Sequence, residues 1–234
     1  MQQNEKTAYF TMAERLLYIL SVCGILLAFG IFDRENDLSL AASLLGVTSL
    51  ILNAKGHPVG QALMILFSLL YGIISYTFSY YGEMITYLGM TMPMAILALI
   101  AWIRNPFPGR HREVRIDRLR RGELPFLCLL TAFVTVLFYF VLRAFDTAHL
   151  FFSTLSVTTS FAAVYLTFRR NPYFALAYAA NDVVLIVLWS LASAADFGYI
   201  SVVVCFLAFL ANDLYGFYNW QRMEKRQKAS HTAR

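Results

Sequence analysis

Between residues 208 and 222 the chain reads AFLANDLYGFYNWQR, and six polar or polar-tipped aromatic residues arrive within nine positions: Asn212, Asp213, Tyr215, Tyr218, Asn219 and Trp220. They follow an apolar run, so a membrane helix here carries two amides and a carboxylate into hydrocarbon. An Asp in that setting costs about 2.5–3.5 kcal/mol on insertion scales, and such groups therefore face a cavity or another helix. At about 100° per residue, Asn212, Tyr215, Gly216 and Asn219 share one face. A polar, aromatic face notched by glycine suits a flat polar molecule; the same residues also join membrane helices to one another.

A second cluster lies in the apolar segment 172–194. Tyr178, Asp182 and Trp189 fall within about 40° of one face, with Asn181 at its edge. Asn181 and Asp182 sit near the middle of that segment, and helix eight repeats the pair as Asn212–Asp213. In the third apolar segment Gln61, Ser68 and Ser75 form a heptad-spaced stripe beside Tyr71 and Gly72. Thr91 and Pro93 follow in the fourth, where the missing proline donor bends a helix. The sixth is rich in Ser and Thr between Ser153 and Ser160, a pattern equally suited to close helix packing.

Aromatic faces attract cations and stack on planar rings, at about 0.5–2 kcal/mol each. Asn and Gln offer a donor and an acceptor to amides and ribose. The residue types therefore match a small, flat, polar ring, with a cation or a sugar attached. Gln61, Tyr71, Tyr178, Asn181, Asp182, Trp189, Asn212, Tyr215 and Asn219 are the expected binding residues. Asp182 and Asp213 also fit a proton or sodium site, or structural partners for facing amides. Catalytic patterns are poorer. His57, His111, His149 and His231 show no metal spacing, and neither a Walker loop nor a GxSxG is present. No catalytic residue, metal or cofactor is expected, nor a nucleic-acid partner; an intramembrane transferase or a receptor remains the competing class.

The elements that position these residues are membrane helices. The chain is 59% hydrophobic and only 14% charged, where a soluble domain carries about 25% charged residues. No small-residue cleavage site follows a short apolar core, so no removable signal peptide is expected. A span needs about 20 apolar residues, and eight segments qualify: 12–32, 37–54, 58–80, 83–103, 124–145, 149–168, 172–194 and 197–220. The sequence predicts an all-α membrane protein: an extra helix (12–32), a three-helix bundle (37–103), a basic loop and linking helix (104–145), a second three-helix bundle (149–220) and a basic tail (221–234). A shift of 118 positions lays Asn53 on Asn171, Trp102 on Trp220 and Arg104 on Arg222. Corresponding helices recur after four crossings, so the two bundles run parallel. Seven arginines between Arg104 and Arg121 place that loop in the cytoplasm by the positive-inside rule, and both termini with it. Cys23, Cys128 and Cys205 read as packing residues.

With YGFYNW closing helix eight, AWIRNP closing helix four and one helix preceding a 3+1+3 plan, the chain resembles the PnuC family. These nicotinamide riboside transporters are related in architecture to the SWEET sugar transporters. The resemblance covers the chain from helix one to Arg222. It implies facilitated diffusion across the cell (plasma or inner) membrane, trapping of the substrate by phosphorylation inside the cell, and a homotrimer. Where nicotinamide riboside members carry WxxW in helix seven, this chain has Ala175 and Tyr178. Thiamine, riboflavin and deoxynucleosides, carried by relatives, are therefore alternative substrates.

Overall fold

The computed structural model describes residues 9–77, 81–194 and 196–232. Among these, eight helices are long and apolar enough to cross a membrane. They are α1 (Met12–Phe32), α2 (Asp37–Ala54), α3 (Pro58–Thr77), α4 (Tyr81–Arg104), α5 (Glu123–Ala144), α6 (Leu150–Phe168), α7 (Phe174–Ser193) and α8 (Ile200–Thr232). The expected end of the third span at residue 80 lies outside the described residues. Local signals explain the boundaries. Thr11 and Glu14 form a reciprocal capping box at the start of α1, and Asn36 accepts from the Ser39 amide to start α2. One boundary differs from expectation. α8 runs past residue 220 to Thr232, because Lys228 bridges to Glu224 one turn back and the basic loop buries Glu224 and Gln227.

α4 is not uniform. Residues Tyr87–Thr91 form a π turn directly before Pro93, a bulge where a helix commonly bends. Gly72 of α3 makes room for it, since a Cβ there would stand 2.6 Å from the Leu88 side chain.

The basic loop folds as a strap. Strands β1 (Pro106–Phe107) and β2 (Arg110–Val114) pair antiparallel, and Gly122, at φ 86°, turns the chain into α5. Outward-facing apolar residues such as Leu129 and Phe133 dominate α5, whose buried residues are Leu127 and Leu142. Cys205 is buried as expected of a packing residue, while Cys23 and Cys128 lie on the outer surface.

Two turns at the basic end are built alike. Between α2 and α3 the amides of Gly56 and His57 bond the carbonyls of Asn53 and Leu52, at 2.9 and 3.0 Å. Between α6 and α7 the amides of Arg170 and Asn171 bond those of Thr167 and Leu166, at the same distances. Gly56 and Arg170 both take positive φ, 65° and 57°. The turns are thus related by 114 positions, whereas Trp102 and Trp220 are related by 118. The difference of four residues, about one helical turn, falls between the turn and the tryptophan, so no single ungapped shift aligns both.

Candidate functional site

Trp102 and Trp220 each reach across to a helix distant in the chain. Trp102 of α4 donates from Nε1 to the Thr167 carbonyl of α6 at 2.9 Å, and Trp220 of α8 donates to the Asn53 carbonyl of α2 at 2.8 Å. Both indoles are fully buried, 5.4 Å apart, with the Phe174 ring 4.8 Å from Trp220. Beneath them the strap bonds both turns: the Val114 amide to the Gly56 carbonyl at 3.0 Å, and the Asp117 amide to the Arg170 carbonyl at 3.2 Å. The extension of α8 holds the strap in turn. Gln227 bonds Glu113 Oε1, the Val114 carbonyl and the Ile116 amide, Arg226 pairs with Glu113, and Glu224 pairs with Arg118. That pairing holds the Arg118 guanidinium above its ordinary range; burial pulls Arg170 below its own, against the opposing charge of Asp117. The basic end is shut.

Space lies elsewhere. A central cavity of about 50 Å³ receives side chains from α2, α3, α4, α6, α7 and α8, with Tyr178, Asn181, Asp182 and Asp213 as its polar lining beside Tyr87 and Thr91. The Asp182 and Asp213 carboxyl groups meet across the α7–α8 interface, and Asp182 Oδ2 has no hydrogen-bond partner. Asn181 is anchored to α6, accepting from Ser156 at 3.1 Å and Thr159 at 2.8 Å. Further cavities continue from the central one toward the end opposite the basic loop, sharing Phe67, Phe209, Tyr87 and Leu185 with it. The largest, about 230 Å³, opens among Tyr81, Glu83, Asp146, His149 and Trp189. No Lys or Arg lines any of these four cavities, while Glu83, Asp182 and Asp213 do.

Of the nine expected binding residues, five lie along this series of cavities: Tyr71, Tyr178, Asn181, Asp182 and Trp189. Tyr71 packs its ring 4.5 Å from that of Tyr87. The other four are spent on packing at the basic side. Gln61 donates to Asn53 Oδ1 at 2.8 Å. Asn212 donates to Ser21 Oγ of α1 at 2.9 Å, Tyr215 donates to Glu14 of α1 at 2.8 Å, and Asn219 donates to the Ala54 carbonyl at 2.7 Å. The polar face of α8 is therefore turned toward α1 and α2, and Asp213, one position round from Asn212, points to the cavity. Sequence reasoning missed Glu83 and Tyr87. An acidic residue at the first turn of a span reads as interfacial, and nothing in the spacing of the sequence marks it as facing the cavities. Ala175 is fully buried in the aromatic cluster of Trp102, Phe174 and Trp220, close to Gly216 of α8, and no space remains there for an indole.

Comparisons with known proteins fit this geometry. Residues 36–222 match a family described as nicotinamide mononucleotide transporter. The chain is 24% identical over 216 residues to a nicotinamide riboside transporter, PnuC, of Neisseria mucosa, covering 90% of this chain and 81% of that protein. It is 24% identical over 194 residues to the PnuC of Haemophilus influenzae, covering 82% of each. A crystal structure of the vitamin B3 transporter PnuC superposes with a TM-score of 0.80 at 21% identity, over 93% of this chain and 94% of that one.

Proposed function

This chain belongs to the nicotinamide mononucleotide transporter family, the PnuC family its sequence resembles, and on that premise we propose that it carries nicotinamide riboside across a cell membrane by facilitated diffusion. One observation supports the choice of substrate: a series of cavities lined by Glu83, Asp182 and Asp213 together with Tyr71, Tyr87, Tyr178 and Trp189, without Lys or Arg. Carboxylates and aromatic faces favour a cationic ring. They disfavour a phosphate, whose negative charge would meet like charge in a low dielectric. The riboside, a pyridinium joined to an uncharged sugar, fits; the mononucleotide does not. The same asymmetry supports trapping, because a riboside phosphorylated inside the cell cannot return by an acidic route.

The central cavity is far smaller than the roughly 300–1,000 Å³ typical of ligand pockets. Tyr178, Asn181 and Asp182 bind the substrate once Phe67 and Phe209, which separate the cavities, have moved. The basic loop faces the cytoplasm, as do both termini, following the positive-inside rule. A homotrimer belongs to the same reading, and the protein mass of the detergent complex checks it.

Proteoliposomes test the proposal. Radiolabelled nicotinamide riboside should equilibrate across the bilayer without an ion gradient, and unlabelled mononucleotide should compete poorly. Accumulation of unmodified substrate driven by a sodium or pH gradient would overturn facilitated diffusion. A second substrate reading is favoured by Ala175, which removes an indole that riboside carriers of this family possess. Calorimetry against nicotinamide riboside, thiamine, riboflavin and a deoxynucleoside decides it.

A further inference from the structure

We propose that the cavity at the end opposite the basic loop is a first binding site, where Glu83 and Trp189 receive a flat aromatic cation bearing a hydrogen-bond acceptor before it reaches the central cavity. The inference rests on the transport reading and adds a residue-level basis for its selectivity. Glu83 lines three of the four cavities, and Trp189 lines the same three. Among the described residues Glu83 makes no hydrogen bond and no ion pair.

Unpartnered polar atoms collect around this pair. Trp189 is 7% exposed, and its Nε1 has no acceptor. Ser75 Oγ and Thr147 Oγ1 are likewise buried without partners, and they line two of the same cavities. Native interiors leave few buried polar groups unpaired, and a local concentration of them calls for an absent partner. The chemistry of the absent partner follows from theirs. An indole N–H only donates, so the ligand must present an acceptor; an ionised carboxylate only accepts, so the ligand must present a donor or a positive charge. Trp is the strongest aromatic partner for a cation, and Tyr199 lies 5.2 Å from its ring. A cavity of about 230 Å³ holds a substituted six-membered ring more readily than a whole nucleoside, so the ring enters first.

The test uses the purified full chain and two small probes: 1-methylnicotinamide, which is cationic, and nicotinamide, its neutral counterpart. A pyridinium accepts an electron from excited indole and quenches it. Trp102 and Trp220 are fully buried at the other end, so saturable quenching reports Trp189. The cation should bind about tenfold more tightly than the neutral probe, the size expected of one charge-assisted contact at a largely buried carboxylate. Glu83→Gln should erase that preference, and Trp189→Phe should remove the saturable quenching while the remaining emission reports an intact fold. Persistence of the cation preference in Glu83→Gln, or of the quenching in Trp189→Phe, would overturn the proposal. So would equal affinity of the wild-type protein for both probes, a measurement that needs no variant to fold. Vesicles that fail to transport nicotinamide riboside while the probes still bind would sink the proposed function and leave this site standing.

Discussion

The two ends of the molecule use tryptophan in opposite ways. At the basic end Trp102 and Trp220 each donate to a backbone carbonyl, are fully buried, and stand over turns that the strap bonds from below. At the opposite end Trp189 is nearly as buried, yet its N–H has no acceptor, and cavities surround it. Among the described residues of the turns and strap, Arg170 Nη1 is the one buried side-chain polar atom without a partner. A paired interior resists opening, because separating it strands donors and acceptors; an unpaired one gains when something binds. The structure is thus closed where Trp102 and Trp220 tie distant helices together, and it holds cavities where the Trp189 N–H has no acceptor.

The largest expected effect comes from breaking the closed end. Trp220→Ala removes a fully buried indole and should destabilise the protein by about 3–5 kcal/mol, read as a lower melting temperature in detergent. An unchanged melting temperature would mean the tryptophans hold nothing together. Next stands Glu14, which is 1% exposed and takes bonds from Lys55 Nζ, at 3.0 Å to its nearer oxygen, and from Tyr215. Glu14→Leu alone leaves Lys55 without its counter-ion and should cost about 3 kcal/mol. Adding Lys55→Met should recover much of the loss, and a strictly additive double variant would show that the pair is not coupled.

A smaller effect is expected from the strap. Gln227→Ala deletes three hydrogen bonds to residues 113–116 but leaves the membrane helices untouched. Local opening should then rise about tenfold, measured as faster trypsin cleavage among the strap arginines with an unaltered melting temperature. Equal cleavage rates would show the strap to be held by its ion pairs instead. The smallest effect sharpens the contrast most. Trp189→Phe removes an N–H that had no partner and should change stability by less than about 0.5 kcal/mol. Trp220→Phe strands the Asn53 carbonyl and should cost about 1–3 kcal/mol. Equal costs would erase the distinction between the two ends.

Particular residues show how far the sequence could be read. The eight spans were legible because twenty apolar residues in succession have no other stable home, and their ends fell where Asn36, Gly56 and Gly122 stop or start a helix. The family was legible from the placement of YGFYNW and AWIRNP within that plan. The shared face of Tyr178, Asn181 and Asp182 on α7 was legible too, since all three line one cavity. α8 was read less well. Its helical period correctly grouped Asn212, Tyr215 and Asn219, but the group meets α1 and α2 instead of the cavity.

That failure has a physical cause. Periodicity is a property of one helix, and it determines which side chains share a face, which segments must be buried in lipid, and which loop carries the charge. It contains nothing about the rotation of that helix against its neighbours. Ser21 and Glu14 of α1 supply the hydroxyl and carboxylate that bond the polar face of α8, so packing against α1 turned that face away from the cavity. Tertiary structure likewise decided that Glu83 of α4 comes to lie beside Trp189 of α7, a residue far from it in the chain. Contacts between helices distant in the chain depend on how side chains of unlike size interlock, and only the assembled molecule specifies that.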